Sequence, residues 1–202
     1  MAVSSAKPES EPMAAYEPIP PLISREELQK RITELGRQIT ADYAGKNHVR
    51  VIGALRGCFV FMADLIRAIE MPVKVDFMEI SSYGKATVSS GNIKILKDLS
   101  DDPHDEHVLI AEDIIDTGLT LQCMVDLLKG RGVASIEIAT LLIKPKNVAA
   151  QGKLKYPVKY RAFEVTDEFV VGAGMDYKGY MRNLPYIAQV TDSQQLKLFD
   201  GE

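Results

Sequence analysis

Val108-Leu109-Ile110-Ala111-Glu112-Asp113-Ile114-Ile115-Asp116-Thr117-Gly118-Leu119-Thr120 is a short apolar run that ends in two acids and passes straight into a turn of small residues. The unbroken apolar stretch Val108 to Ala111 predicts a strand covered on both faces, as in a parallel sheet between helices. Glu112 and Asp113 then fall at its carboxyl end, where open α/β sheets bind ligands because the loops there are free of the core. Asp116, Thr117, Gly118 and Thr120 supply hydroxyls, backbone N–H groups and a glycine that lets the chain curl around an anion. Leu121, Met124, Val125 and Leu128 follow at helical spacing, so the turn opens onto a helix N-terminus, whose dipole and free N–H groups favour a dianion. Asp116 lies ahead of that helix, in a position to cap it. Carboxylates delivered by an apolar strand are costly to build for packing alone. The combination points to a phosphorylated, hydroxyl-rich ligand, with a solvated turn and an acidic cap as the alternative.

Four further segments have the same two-sided character. Val49 to Cys58 reads as a strand that breaks into the turn Leu55-Arg56-Gly57 before a helical stretch, Phe59 to Ile69; an ordinary βα turn looks the same. Ser81-Ser82-Tyr83-Gly84, continued by polar residues through Gly91, predicts a mobile loop, either a lid over a site or a plain connection. Lys144 ends the apolar run Ile136 to Ile143, so its ammonium either reaches into a pocket or is solvated. In Glu168 to Tyr177 and Tyr180 to Asn183, Phe169 suits a stacking surface or a core position. Asp176 and Arg182 suit a ligand site or a surface ion pair.

Taken together, from about Leu22 to Val190, these segments resemble the type I phosphoribosyltransferases, specifically the hypoxanthine-guanine branch. Glu112 to Thr120 looks like that family's signature for phosphoribosyl pyrophosphate (PRPP). The resemblance implies an α/β fold with a mainly parallel central sheet flanked by helices, and a small hood subdomain over the active site built from the N-terminal and C-terminal segments. It implies that Glu112 and Asp113 bind the ribose hydroxyls, that Asp116, Thr117, Gly118, Leu119 and Thr120 hold the 5′-phosphate, and that Asp116 is the general base for purine nitrogen 7. Leu55, Arg56, Gly57 and Arg182 would bind pyrophosphate, and Ser82 and Tyr83 would close as a lid. Lys144 would bond the purine's oxygen at position 6, while Phe169 stacks on the base and the backbone of Val170 meets its polar edge. The cofactor implied is Mg²⁺, held by Asp176, with Glu112 and Asp113 as further ligand candidates.

Two residues depart from the family pattern: Arg56 stands where a Lys is usual, in a peptide link to Leu55 that is strained in the family, and Leu119 stands where some relatives carry a Lys. The implied reaction is Mg²⁺-dependent purine salvage. Hypoxanthine, or guanine, takes the phosphoribosyl group of PRPP, giving IMP or GMP and pyrophosphate. The alternatives are a transferase for another base, such as xanthine, and a regulatory RNA-binding protein on the same fold.

Composition narrows these choices. At 202 residues and 46% hydrophobic, the chain can bury one substantial core, which predicts one domain, 22–202, behind a tail. That tail, 1–21, carries five prolines and no apolar core, so it reads as disordered and not as a secretory signal. A net charge of −4 and a pI near 5.5 speak against a nucleic-acid partner, which calls for a basic patch. No stretch approaches the roughly 20 apolar residues a membrane span needs, and a cytoplasmic location is expected. The resemblance implies a homodimer or homotetramer, and the apolar helix Phe59 to Ile69 is a candidate interface. Ser24 and Glu27 predict a capping box on a helix from Arg25 to about Tyr43. Cys58 and Cys123 read as buried, unbridged residues. His48, His104 and His107 have no zinc-ligand spacing; the first reads as a turn residue and the other two as part of the acidic link around Asp98 to Glu106. Lys144 to Lys159 reads as a solvated connection.

Overall fold

In the computed structural model, which describes residues 19–82, 93–150, 152 and 154–191, the run quoted above becomes an inner strand of a six-stranded sheet. The elements in chain order are β1 (Pro21–Ile23), α1 (Arg25–Asp42), β2 (Val49–Ala54), α2 (Phe59–Ala68), β3 (Lys74–Ser82), β4 (Ile93–Lys97), β5 (His107–Ile115), α3 (Leu119–Gly130), β6 (Ser135–Ile143), α4 (Pro145–Ala150), β7 (Tyr160–Glu164), β8 (Val170–Val171) and β9 (Ile187–Gln189). The large sheet runs β4-β3-β2-β5-β6-β7. Every pairing in it is parallel except the antiparallel edge β3–β4.

Side-chain alternation along β5 sorts the two layers. Leu109 and Ala111 join α1 and α2 in one core, with Leu35, Ile39, Phe61 and Leu65. Val108 and Ile110 join α3 in the other, with Leu121, Met124, Val125 and Leu128. A continuous apolar run is what a strand needs when helices cover both its faces. The expected capping box is present: Ser24 Oγ accepts from the Glu27 N–H, and the Glu27 carboxylate accepts from the Ser24 N–H. Gly36 lets α1 approach α2 closely, since a Cβ there would come within 2.4 Å of the Ala68 carbonyl oxygen.

The antiparallel sheet β1-β9-β8 joins the N-terminal segment to the C-terminal one. Its small core holds Ile19, Val171, Met181 and Ala188. Ordered structure therefore starts ahead of Leu22, because Ile19, 3% exposed, has apolar partners there; residues 1–18 lie outside the described residues. Three other boundaries differ from expectation. β5 runs on through Glu112 and Asp113 to Ile115, paired with β6 as far as Ile143. The Lys144 to Lys159 segment contains the short helix α4. His107 begins β5, with its Nδ1 2.8 Å from Ser135 Oγ, instead of lying in the acidic link.

At the amino ends of β2, β3 and β5 sits a charged cluster that apolar periodicity did not disclose. Arg50 is 1% exposed and bonds the Glu106 carboxylate at both Nε and Nη2, with Asp101 at 2.5 Å and Asp76 at 3.5 Å. Burial alone would raise both Asp76 and Glu106. Donors from Ser100, Phe77 and Lys97 at Asp76, and from Arg50 and Lys74 at Glu106, outweigh it and hold both carboxyls below their ordinary values of 3.8 and 4.5. Carboxyls lowered in this way contribute stability that is complete above their ordinary values and is lost as pH falls through the folded-state values. Arg50→Met should cost about 3–5 kcal/mol in urea unfolding at pH 7, because it strands buried acids. The difference from the native chain should narrow below about pH 4, where those acids protonate.

Candidate active site

β5 carries Glu112 and Asp113 to the carboxyl edge of the sheet, between the turn that follows β2 and the turn that precedes α3. Glu112 keeps a partly exposed edge, yet the protein packed around its carboxyl, together with the neighbouring charge of Asp113, pushes its proton affinity well above the carboxylate range. Burial also raises Asp113, partly offset by the N–H groups of Ile114 and of Asp113 itself and by the charge of Arg182. Two acids with raised proton affinity side by side mark local negative charge that the protein leaves unbalanced.

The β2 turn reaches these acids through its backbone. The Leu55–Arg56 peptide is cis. A Cβ on Gly57 would lie 1.6 Å from Asp113 Oδ2, so any other residue there would displace that carboxylate. Gly174, at φ +104, fits as tightly on the far side, where a Cβ would come within 2.0 Å of the Gly57 carbonyl oxygen. Cys58, buried at the start of α2, has its thiol pushed up by burial and by the same two acids; Cys123 is only half-buried. Arg56 points away, its side chain 74% exposed, with Nε 3.3 Å from Glu79 Oε1 on β3.

Beyond β5, Asp116 is exposed, and it does not cap α3. The cap is Gly118 in the left-handed conformation, φ +78, with no side-chain bond to the helix. A glycine tolerates that geometry, and the side chain of Leu154 occupies the place a Cβ would take. α3 starts at Leu119, two residues earlier than the apolar spacing indicated, which puts Leu119 and Thr120 in its first turn. The first N–H groups of a helix have no partner within it, so the turn presents donors to solvent beside the acids. Thr117 Oγ1 accepts a long 3.5 Å bond from the Leu119 N–H.

Lys144 follows β6 directly and is half-buried, its N–H donating to the Ile115 carbonyl at 2.9 Å. Phe169 is half exposed and meets Tyr177 edge-on at 5.9 Å, so it is a surface aromatic and not a core one. Val170, at 7% exposure, lies in β8. Asp176 and Arg182 form an ion pair at 2.6 Å. The guanidinium also donates to the Gly174 carbonyl at 2.8 Å, and the Asp176 carboxylate accepts from the Gly179 N–H at 2.6 Å. The pair adjoins Asp113, whose carboxyl feels both charges. Ser82 is the last residue of β3, and Tyr83 lies outside the described residues.

Among the described residues no group of three or more His, Cys, Asp or Glu could hold a metal by itself. The hard carboxylate oxygens of Glu112, Asp113 and Asp176 do fit Mg²⁺, which keeps much of its water and binds through one or two carboxylates together with substrate phosphates. The unbalanced charge of the β5 acids is what such a cation would neutralise. Two members of this neighbourhood escaped sequence reading, Asn147 and Leu154. Both come from the stretch after β6, whose one helix is six residues long and too short to show periodicity.

The family model for the phosphoribosyl transferase domain matches residues 24–178. The chain is 50% identical over 168 residues to the bifunctional protein TilS/HprT of Listeria innocua, a match that covers 82% of this chain and 25% of that protein; it spans about a quarter of the length of such bifunctional relatives. It is 49% identical over 166 residues to the hypoxanthine-guanine phosphoribosyltransferase of Bacillus subtilis, covering 82% of this chain and 89% of the relative. The hypoxanthine phosphoribosyltransferase of Trypanosoma cruzi, solved with the product IMP, superposes with a TM-score of 0.77 at 34% identity, covering 85% of this chain and 93% of the other.

Glu112→Gln should stabilise the protein at pH 8 by roughly 1 kcal/mol, a rise of about 2–4 °C in Tm, because it removes a buried charge. A carboxyl raised in the folded state costs stability above its ordinary value, so the advantage should vanish as acidification protonates Glu112 in the native chain. Melting curves at pH 8 and pH 5 check both points.

Proposed function

The chain belongs to the phosphoribosyl transferase domain family, among the hypoxanthine-guanine phosphoribosyltransferases, and we propose that it transfers the 5-phosphoribosyl group of PRPP to hypoxanthine and guanine in purine salvage. The supporting observation is the pair Glu112–Asp113, two half-buried acids whose carboxyls the surrounding protein raises in proton affinity, a short turn ahead of a glycine-capped helix N-terminus. An acid pair of this kind suits a sugar that becomes cationic, and the helix end suits its 5′-phosphate.

In this reading the C1–oxygen bond to pyrophosphate breaks as purine N9 bonds to C1, through an oxocarbenium-like state. Glu112 and Asp113 hold the ribose hydroxyls and stabilise the positive sugar. The N–H groups and hydroxyls of Thr117 to Thr120 hold the 5′-phosphate. With Leu119 in place of a cation, that grip depends more on the helix terminus. The backbone of Leu55 to Gly57 and the guanidinium of Arg182 face the departing pyrophosphate, and Arg182 exchanges its bond to Asp176 for phosphate oxygens. Mg²⁺ held by Asp176, with Glu112 and Asp113 nearby, would supply positive charge against the leaving group.

Asp116 takes the N7 proton as N9 acquires the sugar. Lys144 donates to the 6-oxygen, and this selects against adenine, whose 6-amino group would meet another donor. Phe169 stacks on the ring, and the backbone of Val170 reads its polar edge. No helix among the described residues is long and apolar enough to cross a membrane. A homodimer or homotetramer would use α2 as its candidate interface; its Phe59 is 44% exposed beside a cleft of about 640 Å³ shared with α1 and the 179–185 segment.

Incubation with PRPP, Mg²⁺ and a panel of bases should release pyrophosphate with hypoxanthine and guanine and little with adenine, orotate or uracil. Turnover with none of the purines would refute the proposal. Asp116→Asn should lower turnover roughly 100-fold, the scale of a general base, while PRPP still binds in a calorimetric titration.

A further inference from the structure

We propose that Asn147 is a positioning residue for Asp116: its side-chain amide holds one carboxylate oxygen so that the other faces purine N7. The inference rests on the reading of Asp116 as proton acceptor. Asn147 Nδ2 donates to Asp116 Oδ1 at 2.6 Å. An ionised carboxylate only accepts hydrogen bonds, so the NH₂ side of the amide must face it.

Asp116 needs such a partner. It stands exposed on the turn between β5 and α3 and has no capping role that would fix its side chain. A general base works only when held within hydrogen-bond reach of the proton it takes, and misplacement by an ångström is costly. Asn147 is itself anchored. It belongs to α4, where the Val148 N–H donates to the Lys144 carbonyl at 3.1 Å and the Lys144 N–H donates to the Ile115 carbonyl at 2.9 Å. Downstream of α4, Leu154 lies against Gly118, closing the same segment over the turn. One short stretch thus carries both the donor for the purine oxygen, Lys144, and, three residues on, the tether of the base.

The chemistry of the tether suits the task. A neutral amide orients the carboxylate without adding charge. With Oδ1 occupied by the amide, Oδ2 is left to receive the N7 proton.

Steady-state kinetics with PRPP, Mg²⁺ and hypoxanthine on Asn147→Ala, Asn147→Asp, Asp116→Asn and the Asp116→Asn/Asn147→Ala double variant test the assignment. Asn147→Ala should lower kcat about tenfold and leave KM for PRPP within about twofold, the pattern of a group acting on the chemical step. Asn147→Asp keeps the size but loses the donor, and should lose at least as much. In the Asp116→Asn background, Asn147→Ala should add nothing, since a tether without its base has no function. Unchanged kcat in Asn147→Ala, or a loss that multiplies fully with that of Asp116→Asn, would overturn the proposal. Wild-type turnover in Asp116→Asn would instead remove Asp116 as acceptor, and the tether with it, an outcome visible in that single variant. If Asn147→Ala does not fold, the isosteric Asn147→Asp takes its place in the cycle.

Discussion

Two carboxylates held at the end of a buried strand are the constraint around which the rest of this molecule is arranged. β5 is apolar on both faces because helices cover both, and its parallel neighbours β2 and β6 fix where it stops. Glu112 and Asp113 are delivered where the apolar layers end and the loops begin. Their raised proton affinity shows how little of their charge the protein cancels. The surroundings repeat the demand in backbone geometry, since Gly57 brings the β2 turn against Asp113, and Gly174 brings a second turn against Gly57, more closely than a Cβ at either position would allow.

The opposite edge of the same sheet shows what the fold does with acids that have no ligand to meet. Asp76 and Glu106 are also buried, but Arg50, Lys74, Lys97 and nearby N–H groups compensate them, and their carboxyls end below the ordinary range. Similar residues on neighbouring strands are shifted in opposite directions at the two edges. A compensated cluster contributes to stability, whereas an uncompensated one costs stability, as functional sites commonly do.

Most of this architecture could be read from residues 108–120, because a doubly covered strand, an acid pair and a glycine turn leading into a helix each have a local signature. The capping box at Ser24 was legible for the same reason. What stayed hidden depends on partners distant in sequence. Arg50 sits in an apolar strand, and only the arrival of Asp76 and Glu106 from other elements explains it. Asp116 looked like a helix cap, but the left-handed conformation of Gly118 takes that place and leaves the carboxylate to Asn147, thirty-one residues on. Asp176 and Arg182, open to two readings in sequence, pair with each other in the folded chain.

The central claim is that a sugar phosphate lies where β5 gives way to α3, with its hydroxyls on Glu112 and Asp113 and its phosphate on the amides of Thr117 to Thr120. A crystal structure of the protein with IMP tests this most directly. Phosphate oxygens should lie within hydrogen-bond distance of those amides, with the ribose against the two acids. Nucleotide bound elsewhere, with the turn from Asp116 to Thr120 empty, would contradict it.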